Sequence, residues 1–186
     1  MLRMSNQRWD FDLTHSGVHF SVRHLVVSKV RGQFKRWGGT LELDPADPTT
    51  AKAVIEIDAA SIDTNEPRRD EHLRSGDFLL AAEHPKLRFV SGAIERAGDG
   101  QFAVHGDLTI RGVTKPVVLK AELSGTVQDP WGGQRVGFTL ATSIDRKDYG
   151  VSWNQALDHG GVAVGDKVEI SIEIEAVAAK AAAKAS

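Results

Sequence analysis

The sequence predicts an all-β fold of about eight antiparallel strands, either packed as a sandwich or closed into a barrel. Two observations predict it: apolar and polar residues alternate along most of the chain, and clusters of turn residues separate the alternating segments. The length of 186 residues is a third constraint, because it suits one domain with a substantial core and is short for two.

The strands are predicted from a period of two. Strict alternation indicates a strand with one dry face and one wet face, which is typical of antiparallel sheets, whereas buried parallel strands read as continuous apolar runs. The alternating segments are 18–22, 41–43, 54–57, 87–89, 102–110, 117–123, 136–140 and 168–174.

The turns are predicted from clusters of Gly, Pro and Asp, which favour reversals of the chain. Such clusters occupy 44–48, 97–100, 111–116 and 129–133. One strand, over about 29–44, is long. It contains Gly32, Gly38 and Gly39, where we expect it to bend or bulge.

One segment, 61–85, has helical character. Asn65 is a suitable N-cap, Glu66 and Pro67 fall in the first turn, and Gly76 follows the end. We therefore expect a short helical excursion between two strands, placed over one end of the barrel. The domain is expected to span 9–177, with flexible termini at 1–8 and in the Ala/Lys tail at 178–186.

Composition excludes several classes of function. The absence of cysteine excludes disulfides, thiolate metal sites and thiol nucleophiles, and a net charge of -2 argues against nucleic-acid binding. The sequence contains neither the apolar run of a secretory signal nor the run of about 20 apolar residues that a membrane-spanning helix needs. We expect a cytoplasmic protein that does not span a membrane.

Several blocks of the sequence, taken in order, resemble the YceI-like family from about Trp9 to Ala176. They read HSGVHFSVRHL at 15–25, SKVRGQF at 28–34, ASIDT at 60–64, RDEHL at 69–73, DF at 77–78, GDLTIRGVTKP at 106–116, IDRKDYG at 144–150 and VGDKV at 164–168. The resemblance implies an extended, eight-stranded, antiparallel, lipocalin-like barrel with an interior pore. It also implies a binder of polyisoprenoids, including prenylated quinone-type or pyrophosphate lipids. Many family members are periplasmic.

The alternation predicts which side chains face the interior, and none of them is charged. A cavity so lined accepts a hydrocarbon chain, although the same side chains could instead simply fill the core. The resemblance favours the pore, in which a bound lipid, and no other cofactor, is expected. The predicted lining is Val18, Phe20, Val22, Phe34, Leu41, Leu43, Ile55, Ile57, Leu87, Phe89, Leu108, Ile110, Val117, Leu119, Phe138, Leu140, Ile170 and Ile172.

The polar head of such a lipid is expected at one mouth of the barrel. Candidates to hold it are Arg68, Arg69 and His72 on the helical excursion, with Arg146 and Lys147 in a late loop. The alternative is a structural cap, in which Arg69 of the segment 69–73 pairs with a local carboxylate.

Two kinds of chemical site are weighed against lipid binding. His15, His19 and His24 are close in sequence, but His24 points to the opposite face of a strand from the other two, so no metal site is expected. A small hydrolase has candidate residues in Thr14-His-Ser16 and Asp158-His159, without a nucleophile elbow. Non-catalytic lipid binding is therefore preferred to an enzyme.

A protein–protein interaction module with a filled barrel core is the remaining alternative. Val27, Val90 and Val118 fall on the nominally wet side of their strands, where a homodimer could bury them. Self-association of this kind is compatible with lipid binding.

Overall fold

The computed structural model describes residues 6–180, which form eleven strand segments and one α-helix. The strand segments are β1 (Gln7–Phe11), β2 (Gly17–His24), β3 (Ser28–Phe34), β4 (Trp37–Leu43), β5 (Lys52–Asp58), β6 (Ile62–Asp63), β7 (Lys86–Gly98), β8 (Gln101–Ile110), β9 (Val113–Gln128), β10 (Gln134–Asp145) and β11 (Val164–Ala178), and the helix is α1 (Pro67–Arg74). Within 6–180, no helix is long and apolar enough to cross a membrane.

The eleven segments make a closed barrel of eight antiparallel strands, so the prediction of this fold class is confirmed and the sandwich is excluded. β1 and β2 are two parts of one strand, since both pair with β11, through Trp9↔Ala178 and Val18↔Ile172. Likewise β3 and β4 form the second strand, and β5 and β6 the third. The remaining strands follow in chain order, and β11 closes the ring.

The long strand predicted over 29–44 is observed as β3 and β4, interrupted at Lys35 and Arg36. The interruption is stabilised from β5 and the turn after it. The amide of Arg36 donates to Ser61 Oγ at 3.0 Å, and its guanidinium lies 2.8 Å from Asp58. The strand therefore bends without leaving the wall of the barrel.

The predicted helical excursion lies between β6 and β7, at the end of the barrel that we call the upper end, where β2 ends and β7 begins. α1 covers only eight residues of the predicted segment, and its N-cap is Glu66, whose carboxylate accepts the Arg69 amide. Asn65 was the wrong cap: it adopts a left-handed conformation (φ 61°) just before the cap. Buried Asp70 anchors the helix, because its carboxylate accepts hydrogen bonds from the amide and the hydroxyl of Thr64.

The opposite, lower end is filled by packed apolar side chains. Trp9, Val136 and Ala176 are almost completely buried there, and the Trp9 indole donates to the Leu43 carbonyl at 3.0 Å. The strands begin and end at Gln7 and Ala178, so residues 7, 8 and 178, expected to be flexible, are in the sheet. The rest of the predicted flexible termini, apart from Asn6, Ala179 and Lys180, lies outside the described residues.

An ion-pair network holds the lower end from outside. Arg135 Nη1 lies 2.8 Å from Asp12 and 2.6 Å from Glu175, while its Nε lies 3.0 Å from Asp129. Hydrogen bonds from His15 and Arg135 hold the pKa of Asp12 well below its usual range. The same bond to Asp12 raises the pKa of His15. The network connects the segment between β1 and β2, the β9–β10 turn, β10 and β11.

The raised pKa of His15 predicts a pH dependence of stability. A group whose pKa is higher in the folded state stabilises the fold at pH values below its unfolded pKa, about 6.5. That stabilisation is lost as the pH rises through the higher, folded pKa. We expect the melting temperature to fall as the pH increases over this range, and to fall less steeply in His15→Gln. His159→Gln, in an exposed turn, is the control and should keep the wild-type slope; equal slopes in all three proteins would contradict the prediction.

Candidate functional site

The barrel encloses one long apolar cavity of about 530 Å³. On β11, the residues that line the cavity extend from Val164 to Ile174, which corresponds to about 30 Å of strand. The volume lies within the range of ordinary ligand pockets. A cavity that follows the strands for this distance suits an elongated apolar molecule better than a compact one.

All the side chains predicted to face the interior do line this cavity: Val18, Phe20, Val22, Phe34, Leu41, Leu43, Ile55, Ile57, Leu87, Phe89, Leu108, Ile110, Val117, Leu119, Phe138, Leu140, Ile170 and Ile172. Several of the largest, including Phe20, Phe34, Phe89 and Phe138, are only half-buried although they point inward. The inward side chains therefore do not fill the space between them. That they contact a ligand stays a prediction.

Two phenyl rings are accommodated by glycines on neighbouring strands. A Cβ on Gly32 would lie 2.4 Å from the ring of Phe20, and a Cβ on Gly106 would lie 2.4 Å from the ring of Phe89. Because glycine has no side chain, each ring lies against the wall of the barrel instead of projecting across it. These glycines help to keep the cavity open.

The sequence reasoning missed part of the lining. Phe102 and Val104 share the alternation of Leu108, and Trp37 shares that of Leu41, so these three could have been included, whereas nothing in the pattern marked Trp153. Small side chains also line the cavity and widen it: Ala51, Ala53, Ser91, Ala121 and Ala163.

The polar part of the lining is concentrated at the upper end and carries one sign of charge. Arg23, Arg69 and Arg146 line the cavity together with three histidines, and no Asp or Glu among residues 6–180 does so. One of the histidines, His72, packs edge-on against Phe78 and Trp153, and its Nε2 lies 2.8 Å from the Asp77 carboxylate. The upper end is therefore the mouth at which a polar or anionic head could lie.

The five predicted head-group residues divide into two sets. Arg69, His72 and Arg146 line the cavity, whereas Arg68 and Lys147 are exposed outside its lining. Lys147 forms an ion pair with Asp166 at 3.0 Å.

Two of the guanidinium nitrogens of Arg69 bond Thr64, which lies in the segment just before α1. Its Nε donates to Thr64 Oγ1 at 2.7 Å and its Nη2 to the Thr64 carbonyl at 2.9 Å, so its side chain caps a threonine and not a carboxylate. Nη1 makes no bond to the rest of residues 6–180.

Arg146 is a structural clamp. Its buried guanidinium donates to the carbonyls of Val151, Trp153 and Gly165 at 2.8–2.9 Å, and to that of Val164 at 3.3 Å. Burial lowers the pKa of this arginine, although the side chain stays charged. These bonds hold the 151–165 loop beside the mouth and leave one N–H group for anything else.

Tyr149 is a lining residue that the sequence did not single out. The side chain is 2% exposed, and its hydroxyl has no hydrogen-bond partner in the described part of the chain. Burial raises the pKa of this phenol, which is therefore neutral at physiological pH. An unpaired buried hydroxyl is costly, and one that lines a cavity can donate to an acceptor placed there.

The residues weighed for a metal site or a triad do not assemble as those hypotheses require. His15 meets Asp12 and Glu175, with ligand atoms within 4.8 Å of one another, but the Arg135 guanidinium already bonds both carboxylates. His19 and His24 lie outside this group. The Ser16 hydroxyl donates to the Glu175 carbonyl at 3.1 Å, and Asp158 and His159 are exposed in a turn.

The sequence is similar to a known domain model and to known bacterial proteins. A model of the YceI-like domain matches residues 9–176. A UPF0312 protein of Vibrio cholerae serotype O1 is 42% identical over 137 residues, which cover 74% of this chain and 72% of that protein.

Solved structures of other proteins share this barrel fold. Burkholderia cenocepacia BcnA superposes with a TM-score of 0.78 and 26% identity, covering 89% of this chain and 99% of that one. A polyisoprenoid-binding domain from Saccharophagus degradans, implicated in plant cell wall breakdown, superposes with a TM-score of 0.67 over 94% of this chain and 99% of its own. At 14% identity, this second likeness concerns the fold alone.

Exchanging Arg146 for Met tests its role as a clamp. We expect the free energy of unfolding to fall by about 2–4 kcal/mol, because four carbonyls lose a charged donor in a buried site. Lys147→Met, one residue along and exposed, should change it by no more than about 0.5 kcal/mol. Denaturant unfolding measures both, and equal losses in the two variants would contradict the assignment.

Proposed function

This chain belongs to the YceI-like family, and we propose that its barrel binds one long apolar lipid of the polyisoprenoid class. The lipid is held non-covalently. The protein carries it through water or stores it, and no bond in the lipid is made or broken. Prenylated quinone-type lipids and prenyl pyrophosphates are both members of the ligand class considered.

The observation that carries this proposal is the unfilled interior. Half-buried inward side chains such as Phe34 and Phe138 surround a cavity that has no charge along its lower part. Exposing so much apolar surface to an empty or wet cavity is unfavourable, and a hydrocarbon chain would remove it from water. A pure interaction module with a filled core has no need of this space.

The lipid is oriented by the difference between the two ends. The packed cluster around Trp9 and Val136 leaves the lower end apolar and closed, which suits the tail. The upper mouth contains Arg23, Arg69 and His72, which suit a polar head. Placing the tail below and the head above satisfies both ends.

Tyr149 is proposed to donate a hydrogen bond to the first polar atom of the head. The phenol is neutral and buried, and it lines the cavity close to the upper end. A carbonyl or hydroxyl oxygen would pair with it, and the arginines at the mouth would lie beyond that pair. Arg146 is assigned to the loop and not to the head, because four of its five N–H groups already donate to backbone carbonyls.

A non-catalytic role is supported by the structural contacts of the residues weighed for a hydrolase. Ser16 holds the backbone of β11, and His15 belongs to the Arg135 network at the lower end, away from the mouth. The similarity to a polyisoprenoid-binding domain supports the shared barrel. The choice of lipid for this chain depends on its own cavity.

The proposal predicts a dependence of affinity on chain length. Each isoprene unit should add up to about 3 kcal/mol of gross binding free energy until the cavity is full, and further units should add little. Native mass spectrometry should reveal any lipid that co-purifies, and titration with prenyl alcohols of increasing length should reveal the plateau. Equal affinity for short and long chains, or no binding at all, would contradict the proposal.

Ala121→Phe provides the matched variant for the same titration. Ala121 lines the cavity and is the cross-strand neighbour of Phe102 and Leu140. A phenyl ring at this position should shorten the cavity, so the affinity should reach its plateau at a shorter prenyl chain. Ala141→Phe places the same ring on the outer wall of the adjacent strand and should leave the plateau unchanged.

Tyr149→Phe tests the head-group contact with two readouts of opposite sign. Removing an unpaired buried hydroxyl should stabilise the ligand-free protein by about 1 kcal/mol. It should also weaken binding of a prenyl alcohol or quinone by about 2- to 10-fold, while binding of a prenyl hydrocarbon of equal length stays unchanged. A stabilised variant with unaltered affinity for all three ligands would show that Tyr149 only fills space.

A further inference from the structure

The rim of the upper mouth exposes apolar side chains to water. Leu25, Val26 and Val27 form the turn between β2 and β3, and the two valines are 74% and 85% exposed. The Leu25 amide donates to the Ala163 carbonyl at 3.0 Å, which places Val162, itself 46% exposed, in the loop attached to the same turn. We call these four residues the mouth patch.

The turn is built from residues that fit it poorly. Leu25 and Val26 both adopt the left-handed conformation, with φ of 51° and 66°. Turns of this kind ordinarily use Asn or Gly, and positive φ in a β-branched residue is a genuine outlier. Side chains that suit neither the backbone nor water indicate a role that requires them to be apolar.

The β2–β3 hairpin, which carries Leu25, Val26 and Val27 of the mouth patch, is positively charged. Residues 13–41 contain Arg23, Lys29, Arg31, Lys35 and Arg36 and no Asp or Glu. Near the patch, Lys29 pairs with Glu169, whereas Arg23 and Arg31 have no carboxylate within ion-pair distance among residues 6–180. Apolar side chains flanked by unpaired cations match a surface that offers acyl chains and negative head groups.

The lower end shows the contrast. Val127 and Trp131 are 64% and 85% exposed there, so that end also carries apolar surface. Its neighbours, however, include Asp12, Asp129 and Glu175, gathered around Arg135. Carboxylates beside the apolar residues oppose contact with an anionic surface, so within residues 6–180 the upper end combines both properties and the lower end does not.

We infer that the mouth patch docks onto the surface of a bilayer that contains anionic lipids, with the mouth of the cavity facing the membrane. Val26 and Val27 enter the boundary between head groups and acyl chains, and Arg23 and Arg31 contact lipid phosphates. Docking in this orientation connects the apolar cavity to the acyl region of the bilayer. Docking itself needs no lipid in the cavity, so it can be tested apart from the proposed function.

Flotation with vesicles tests the inference. The vesicles are phosphatidylcholine with phosphatidylglycerol, or phosphatidylcholine alone, and contain no prenyl lipid. We expect wild-type protein to float with the anionic vesicles, less with the neutral ones, and less at high salt. The double variant Val26→Asp/Val27→Asp should bind at least about tenfold more weakly, and Arg31→Gln about fivefold more weakly.

Val127→Asp is the control, because it introduces an aspartate at an exposed valine of the lower end. It should float as the wild type does. The inference is overturned if the wild type does not float, if the double variant floats equally well, or if Val127→Asp loses as much binding.

Two further measurements separate the remaining explanations. If sedimentation velocity in buffer shows a dimer that the double variant abolishes, a second copy of this chain covers the patch and the membrane inference is wrong. Titration of the double variant with prenyl alcohol in solution should match the wild type, which shows that the variant is folded. If neither protein binds prenyl alcohol while the wild type still floats and the double variant does not, the proposed function is overturned and docking stands.

Discussion

The backbone ladder along β11 is the interaction on which the rest of the molecule depends. β11 pairs with β10 on one side, and on the other side with β2 over its first part and β1 over its last. This pairing turns a meander of antiparallel strands into a ring, because within residues 6–180 the first and last strands of the sheet pair with each other instead of offering their edges to another chain. It also sets the number of strands, and with it the width of the interior.

That width leaves room that the inward side chains do not fill. The lower end solves the problem by packing, with Trp9 and Val136 at its centre. The middle of the barrel is not filled in this way. There, glycines at 32 and 106 allow two phenyl rings to pack against the wall. At the upper end, residues of α1 and of the loop held by Arg146 line the cavity. The cavity and the fold are thus consequences of one strand number.

Period-two alternation was enough to predict the barrel wall, because the side of the sheet on which a residue lies depends only on its own strand. It could not predict the ends, where contacts join distant segments. Arg146 looked like a free cation because nothing local shows that residues 151–165 return to surround it. Tyr149 was missed for the same reason, and Asn65 was taken for a cap because its left-handed backbone is invisible in the sequence. The exposed turn at Leu25 and Val26 was passed over, since its composition carries no turn signal.

Because apolar side chains pack the lower end around Trp9 and Val136, the upper end is the favoured route for entry and exit. A lipid that uses this route leaves along the path by which it came, withdrawing its whole tail past the mouth before it is released. For a lipid carrier of this shape, the residence time would therefore lengthen with each unit of tail that lies inside, while the rate of capture changes far less. The head, meanwhile, would stay at the opening throughout, within reach of an acceptor that engages it before the tail lets go.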